Sequence, residues 1–256
     1  MTTPRHILSP PRPAEEALRF PLAHGLATTL HVLRLPRSHY TARVVALEPI
    51  QPLVDWCATN DAEYALIGGF YIRAEEIPLG DLRIDGRALA SAPFDAPWDR
   101  VRACVHSENG EVSLRSRLEL PAAPGGDLIQ AGPMLVRSAV RLVDSGVDSE
   151  GFSAGSRQFD SDITRGRYPR AALGVSASDL IAVVSDGRAA NEAGLTLTEL
   201  AEAMIVLGAE DAINLDGGGS ASLVARGRLV NTPREEHGIR IPGGRVVPTA
   251  LRFTLR

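Results

Sequence analysis

Asn214-Leu215-Asp216-Gly217-Gly218-Gly219-Ser220 combines three adjacent glycines with an amide, a carboxylate and a hydroxyl, and the architecture can be worked out around it. A triple glycine between two apolar runs opens backbone dihedrals closed to other residues and leaves amide N–H groups uncovered. Such a turn can form a concave nest for an anion, with Asn214, Asp216 and Ser220 supplying polar groups beside it. A tight hairpin in which Asp216 satisfies its own turn is the plainer account, and spacing alone slightly favours it.

Residues 211–215 read as the strand entering this turn, and residues 220–224 pair with 228–230 across Arg226-Gly227. Upstream, Thr196 and Glu199 form a T-x-x-E capping box. Leu197, Leu200, Ala201, Met204 and Ile205 then follow at helical spacing as far as Gly208, and that face is core. Residues 180–184 are a continuously apolar strand ending at Ser185-Asp186-Gly187-Arg188.

Farther upstream, residues 41–47 read as a strand, followed by a short helix through Trp56. Residues 64–71 form a strand that loses its side chains at Gly68-Gly69, the mark of a bulge or of a place where something approaches the backbone closely. Asp85-Gly86 and Asn109-Gly110 mark hairpins within 82–89 and between 101–106 and 112–120. Residues 128–136 are strand-like but interrupted by Gly132-Pro133, and the last strand covers 250–255. Residues 1–25 carry prolines with little periodicity and read as irregular. Residues 144–167 are polar and aperiodic, a long surface loop. Calcium ligation by its Asp144, Asp148, Glu150, Asp160 and Asp162 is a weak reading, because their spacing does not match an EF-hand loop.

The 256 residues, 44% apolar and 23% charged, can bury a sizeable core in one large domain or two small ones. No run approaches the roughly 20 apolar residues of a membrane span. The formal charge of −4 leaves no basic footprint for nucleic acid. The N-terminus shows no continuous apolar segment of a secretory signal, so a cytoplasmic location is expected unless the sequence is trimmed. All 27 basic residues are arginine. The absence of lysine excludes Schiff-base chemistry, a Walker-type phosphate loop and a Ser-Lys hydrolase. Arginine instead offers a planar fork suited to carboxylate and phosphate. Cys57 and Cys104 are far apart and in neither CxxC nor zinc spacing, so they read as buried thiols, with a single disulfide left open.

The ordered series of motifs resembles the phosphodiester glycosidase family. Ser185-Asp186-Gly187-Arg188, Gly194-Leu195-Thr196, the following helix and Asn214 through Ser220 match its D-G-R, G-[LM]-[ST] and N-L-D-G-G-G-S elements. Gly132-Pro133-Met134-Leu135-Val136 is similar to its G-P-x-L-V, and Tyr168-Pro169-Arg170-Ala171-Ala172-Leu173-Gly174 to its H-P-R-T-A-x-G. Asn231-Thr232-Pro233 and Arg245 before Thr249-Ala250-Leu251 fit the family ending, so the resemblance spans residues 42–256. It implies an α+β fold with a mixed β-sheet core and few helices. The family-like domain would cover residues 41–256 after an irregular lead-in over 1–40.

The resemblance further implies cleavage of a glycosyl phosphodiester at the sugar C–O bond; no cofactor is expected and no metal ligand is assigned, with metal dependence left open. A phosphomonoester is already a good leaving group, so the needs are charge stabilisation on the phosphate and a carboxylate facing the anomeric carbon. Arg170 and Arg188 are candidates for the first role, assisted by the N–H groups of Gly217, Gly218 and Gly219. Asp216 and Asp186 are candidates for the second, with Asn214 and Ser220 orienting sugar hydroxyls. Gly68, Gly69 and Arg245 complete the expected substrate-binding set.

Three positions depart from the family pattern. Ile67 stands where an Asn is usual, Ala171 where a Thr is usual, and Ala221 in place of a second hydroxyl after the glycines. Each lost hydrogen bond to a bound sugar would cost roughly 0.5–1.5 kcal/mol. A changed substrate, a non-catalytic module binding a sugar or phosphoglycan, and an interaction domain on the same scaffold are therefore all open.

Overall fold

The computed structural model describes residues 11–144, 148–153, 163–164 and 166–256. Its frame is a seven-stranded sheet in the order Ala14–Pro21, Ala27–Pro36, Asp179–Ser185, Arg170–Val175, Asp211–Asn214, Met134–Arg137, Val140–Arg141. Every neighbouring pair in it is antiparallel. The strand Asp179–Ser185 is apolar along its middle because both of its faces are covered. Leu180, Ala182 and Val184 enter one core, and Ile181 and Val183 the other.

That second core is closed by the helix Leu197–Val206, on which Leu200, Ala201 and Met204 join Ala172, Val183 and Ala212. Its start is fixed by the expected capping box. The Thr196 hydroxyl accepts from the Glu199 N–H, and the Glu199 carboxylate accepts from the Thr196 N–H.

The first core joins the frame to two five-stranded sheets. One runs Glu111–Ser116, Ala103–Glu108, Asp127–Gln130, Leu82–Ile84, Arg87–Ala88. The other runs Arg228–Leu229, Leu223–Ala225, Tyr64–Ile67, Val246–Leu255, Tyr40–Pro52. The expected strand over 64–71 is interrupted after Ile67 and resumes as Tyr71–Ile72, paired with Ile77–Pro78.

Two expectations are corrected here. The class is mostly β, not α+β with a mixed sheet. The pairs of named strands are antiparallel, and the α-helices among the described residues are Leu53–Thr59, Trp98–Val101 and Leu197–Val206. Tight turns such as Asp85-Gly86 and Asn109-Gly110, with φ of 50° and 75° and of 52° and 82°, join neighbouring strands directly. Such connections need no crossover helix.

The second correction concerns the lead-in. Within residues 11–40 lie two strands of the frame, and Ala27–Pro36 pairs directly with Asp179–Ser185. Ala14–Pro21 is a largely exposed edge strand, which dilutes its apolar alternation. Thr28, Leu30 and Val32 do carry the period of two, since all three are buried.

The segment 144–167 is not a surface loop throughout. Glu150 and Phe152 are 7% and 1% exposed. The Glu150 carboxylate accepts from the Ala103 N–H at 2.8 Å and the Met134 N–H at 2.6 Å. Arg102, fully buried, donates Nε to the Glu150 carbonyl at 3.0 Å and Nη2 to the Gly151 carbonyl at 3.1 Å. Its guanidinium sits between the rings of Phe94 and Phe152, 4.2 and 4.1 Å from their centroids. Desolvation pulls Arg102 down to about 10 and pushes Glu150 up to about 7.

Asp148 accepts from the N–H groups of Phe152 and Ser153. Asp160 and Asp162 lie outside the described residues, among which no cluster of three His, Cys, Asp or Glu could hold a metal. Cys57 and Cys104 are buried free thiols, and burial pushes Cys57 up to about 12.

Replacing Arg102 with Ala leaves two backbone carbonyls without these donors and opens a void between two rings. Urea denaturation should show a loss of about 3–5 kcal/mol. A loss below about 1 kcal/mol, the range of surface substitutions, would show that the sandwich does not hold the segment.

Candidate active site

The backbone of residues 214–218 is bonded on all sides. The Asn214 N–H donates to the Pro133 carbonyl at 3.0 Å, and the Asn214 carbonyl accepts from the Gly132 N–H at 3.1 Å. The N–H groups of Leu215, Asp216 and Gly218 donate to the carbonyls of Ala171, Gly68 and Pro169 at 2.9, 3.1 and 2.8 Å. Close approach explains two of the glycines. A Cβ on Gly217 would lie 2.8 Å from the Pro169 oxygen, and one on Gly68 2.8 Å from the Thr249 carbonyl carbon. Gly218 itself takes φ of +59°.

This corrects the anion nest. The Gly217 N–H donates to Asp216 Oδ1 at 2.9 Å and the Gly218 N–H to Pro169, so two of the three amides are spent within the fold. Asp216 does satisfy its own turn.

Beside this turn is a cavity of about 390 Å³. Arg170 and Tyr168 form one wall, Phe70 and Tyr71 another, and Glu235, Glu236, His237 and Ile239 a rim. Arg73, Arg188, Asn214 and Arg245 also line it, with Asp216 and the three glycines. A second cavity, of about 500 Å³, lies near Asp81 and Phe94. There the Asp81 carboxylate is already taken by Arg83 and Arg117, whereas Asp216 faces open space.

Arg170 is buried and donates Nε to the Leu195 carbonyl at 3.0 Å and Nη2 to the Ile163 carbonyl at 2.8 Å. Arg188, with φ of 56°, donates Nη1 to the Arg234 carbonyl at 3.0 Å. Its guanidinium reaches over the glycine turn, with Nη1 3.6 Å from where a Cβ on Gly218 would be. It lies within ion-pair distance of no carboxylate among the described residues. Both guanidiniums lie over the Tyr168 ring, 5.2 and 5.6 Å from its centroid.

Arg245 donates Nε to Glu235 Oε1 at 2.9 Å and closes the pair through Nη2, while its Nη1 lies 3.4 Å from Ser220 Oγ. That pairing holds the Glu235 carboxyl below its ordinary range. Asp216 is the opposite case. It keeps a face on the cavity, but the surrounding walls desolvate it and push it up to about 6, against the Ser220 hydroxyl, Arg245 and the Gly217 N–H. Tyr71 is raised by burial and by the Asp216 charge, and its hydroxyl donates to the Val246 carbonyl at 3.0 Å.

Of the expected set, the fold brings Asp216, Arg170, Arg188, Asn214, Gly217, Gly218, Gly219 and Arg245 to one cavity. Asn214 spends Nδ2 on the Gly132 carbonyl at 2.9 Å and leaves Oδ1 buried without a partner. Asp186 is not brought there. Its carboxylate is held by His31 Nε2 and the Thr232 N–H, both at 2.9 Å, so it pins the chain behind Arg188. Ser220 is buried and linked to Asp216 and Arg245, so its hydroxyl orients protein groups and not a sugar. Gly68 and Gly69 stand behind the wall and serve close packing.

Tyr71, Arg73, Tyr168, Glu235 and His237 were not foreseen as site residues. Tyr168 lies inside the motif over residues 168–174, and Tyr71 ends the strand read over residues 64–71. Glu235 carried only the signal of a charged Arg234-Glu235-Glu236-His237 run between turn-forming residues. The departures Ile67, Ala171 and Ala221 are all 1% exposed or less, and none lines the cavity.

An antiparallel β framework presenting a carboxylate among arginines over a glycine turn is the class that fold and site define. The sequence profile of the phosphodiester glycosidase family matches residues 60–254, and the chain belongs to that family. A search of curated proteins gave no match. Among solved structures, it is similar to the catalytic domain of zebrafish N-acetylglucosamine-1-phosphodiester alpha-N-acetylglucosaminidase auto-inhibited by its pro-peptide. That likeness has a TM-score of 0.71 at 19% identity, covering 96% of this chain and 83% of the other.

A hypothetical protein from Synechocystis aligns with TM-score 0.64 at 16% identity, over 94% of this chain and 62% of that one. A putative exported protein from Burkholderia pseudomallei aligns with TM-score 0.62 at 17% identity, over 90% and 74%. At these identities the likeness establishes the fold. No helix among the described residues is long and apolar enough to cross a membrane.

The raised Asp216 has a consequence for stability. Its protonated form suits the folded state, so its contribution is complete below 3.8 and is lost as pH rises through about 6. Asp216→Asn removes this dependence. Denaturant melts over a pH series should show the variant gaining on the parent across that window and level above it. A pH-independent difference would show that the carboxylate is not desolvated.

Proposed function

We propose that this chain hydrolyses a glycosyl phosphodiester at the sugar C–O bond, releasing a sugar and a phosphomonoester. The observation that carries the reading is the pairing, in one cavity, of the desolvated Asp216 with the Arg188 guanidinium over the glycine turn. Water adds its oxygen to the anomeric carbon and loses one proton to solvent, and the bond from that carbon to the phosphate oxygen breaks. The leaving phosphate takes the electron pair and needs little protonation.

Ionised Asp216 faces the anomeric carbon, where positive charge develops in the transition state. Arg188 neutralises the phosphate. Arg170 and Tyr168 hold the wall on which Arg188 rests. Burial of Ile67, Ala171 and Ala221 behind the wall supports catalysis over a pocket stripped of polar groups.

Asp216→Asn should lower kcat on a glycosyl phosphodiester by about 100-fold or more, with a melting temperature at neutral pH near or above the parent's. Parent activity should fall as pH drops through about 6, where Asp216 protonates. A parent that binds glycosyl phosphates yet cleaves none of a broad panel would sink the enzyme reading in favour of a binding module.

Arg188→Ala should weaken a glycosyl phosphate by about tenfold while barely changing its dephosphorylated sugar. Equal weakening of both would take the phosphate role from Arg188.

A further inference from the structure

We propose that Glu235 sets the charge selectivity of this cavity, making it accept a singly charged phosphodiester and reject a doubly charged phosphomonoester. The inference rests on the hydrolase reading and deepens it. Arg245 presents a guanidinium fork on the cavity wall, the geometry that binds phosphate through two parallel bonds. In this chain the fork is already filled. Glu235 occupies it through Nε and Nη2, and its charge is also felt by Arg73 and Arg188. A carboxylate therefore stands amid three guanidiniums, where a second phosphate charge would otherwise be accommodated.

The charge balance follows. Among the described lining groups that are not fully exposed, Arg170, Arg188 and Arg245 face Asp216 and Glu235, an excess of one positive charge within that set. A diester monoanion matches that excess, whereas a dianion exceeds it. Hydrolysis of the diester creates a dianionic monoester beside two carboxylates, and the resulting repulsion drives the product out. The device therefore acts on product release as well as on substrate choice. Loss of Glu235 would uncover Arg245 and shift the balance to two positive charges.

The test uses binding of two simple probes to the intact protein, dimethyl phosphate as the monoanion and inorganic phosphate at about pH 8 as the dianion. The parent should bind dimethyl phosphate at least as tightly as inorganic phosphate. Glu235→Gln, which can still accept from Arg245, should tighten inorganic phosphate by about tenfold or more and dimethyl phosphate by much less. Glu235→Asp, which keeps the charge, should retain the parental order, and thermal melts of both variants confirm folding.

Equal tightening of both probes, no tightening of inorganic phosphate in a folded Glu235→Gln protein, or a parent that prefers the dianion would each overturn the proposal. The probes involve no turnover, so the two readings fail separately. Selectivity without cleavage of any diester would sink the hydrolase and keep the charge filter. Cleavage without selectivity would do the reverse.

Discussion

The structure depends on the backbone bonds of residues 214–218. In five residues the chain ties to the carbonyls of Pro133, Ala171, Gly68 and Pro169 and to the N–H of Gly132, and so joins the seven-stranded sheet to the end of the strand Tyr64–Ile67 of a second sheet. Each bond satisfies a group that burial would otherwise penalise. Gly217 and Gly68 follow from this constraint, because no Cβ fits between backbones at these separations, and Gly218 follows from its positive φ. The cavity is the space left beside the junction. Its position is a by-product of satisfying main-chain polar groups, and its chemistry comes from the side chains at its edge.

Charge is used in two different ways in the interior. Arg102 and Glu150 are buried to fasten a segment that has little regular structure, through carbonyls, N–H groups and two aromatic faces. Phe152 then contacts Phe70, which lines the cavity, so this fastening reaches the site through packed rings. At the cavity Asp216, Glu235, Arg188 and Arg245 keep partial contact with solvent, and desolvation there tunes a reactive group. Asp216 is raised while Glu235, a neighbour of the same arginine, is lowered. Two carboxylates with one shared partner are thus driven apart by their surroundings, the pattern expected where acid–base roles differ.

The three departures from the family pattern carry less functional weight than their chemistry alone implies. Ile67, Ala171 and Ala221 lie in the layer behind the cavity, where an apolar side chain costs nothing in hydrogen bonds. Asp186, which the motif makes conspicuous, is spent on His31 and the Thr232 N–H. Motif membership and contact with the cavity are therefore distinct properties, since some motif residues shape the backbone and others face the ligand space.

Sequence by itself determined what depends on neighbours along the chain. The capping box at Thr196, the helix behind it, the Asp85-Gly86 and Asn109-Gly110 hairpins and the glycine turn are all local. They follow from dihedral preference and short-range hydrogen bonding. The order of motifs also identified the family and eight residues that share the cavity. Only tertiary structure decided the rest. The edge strand Ala14–Pro21 is specified by pairing with Ala27–Pro36, because its own side chains are too exposed to show a period. The burial of Glu150, the removal of Asp186 from the site and the pairing of Glu235 with Arg245 depend on groups brought together from distant segments. A carboxylate's role is set by what desolvates it and what donates to it, and neither is written in the residues beside it.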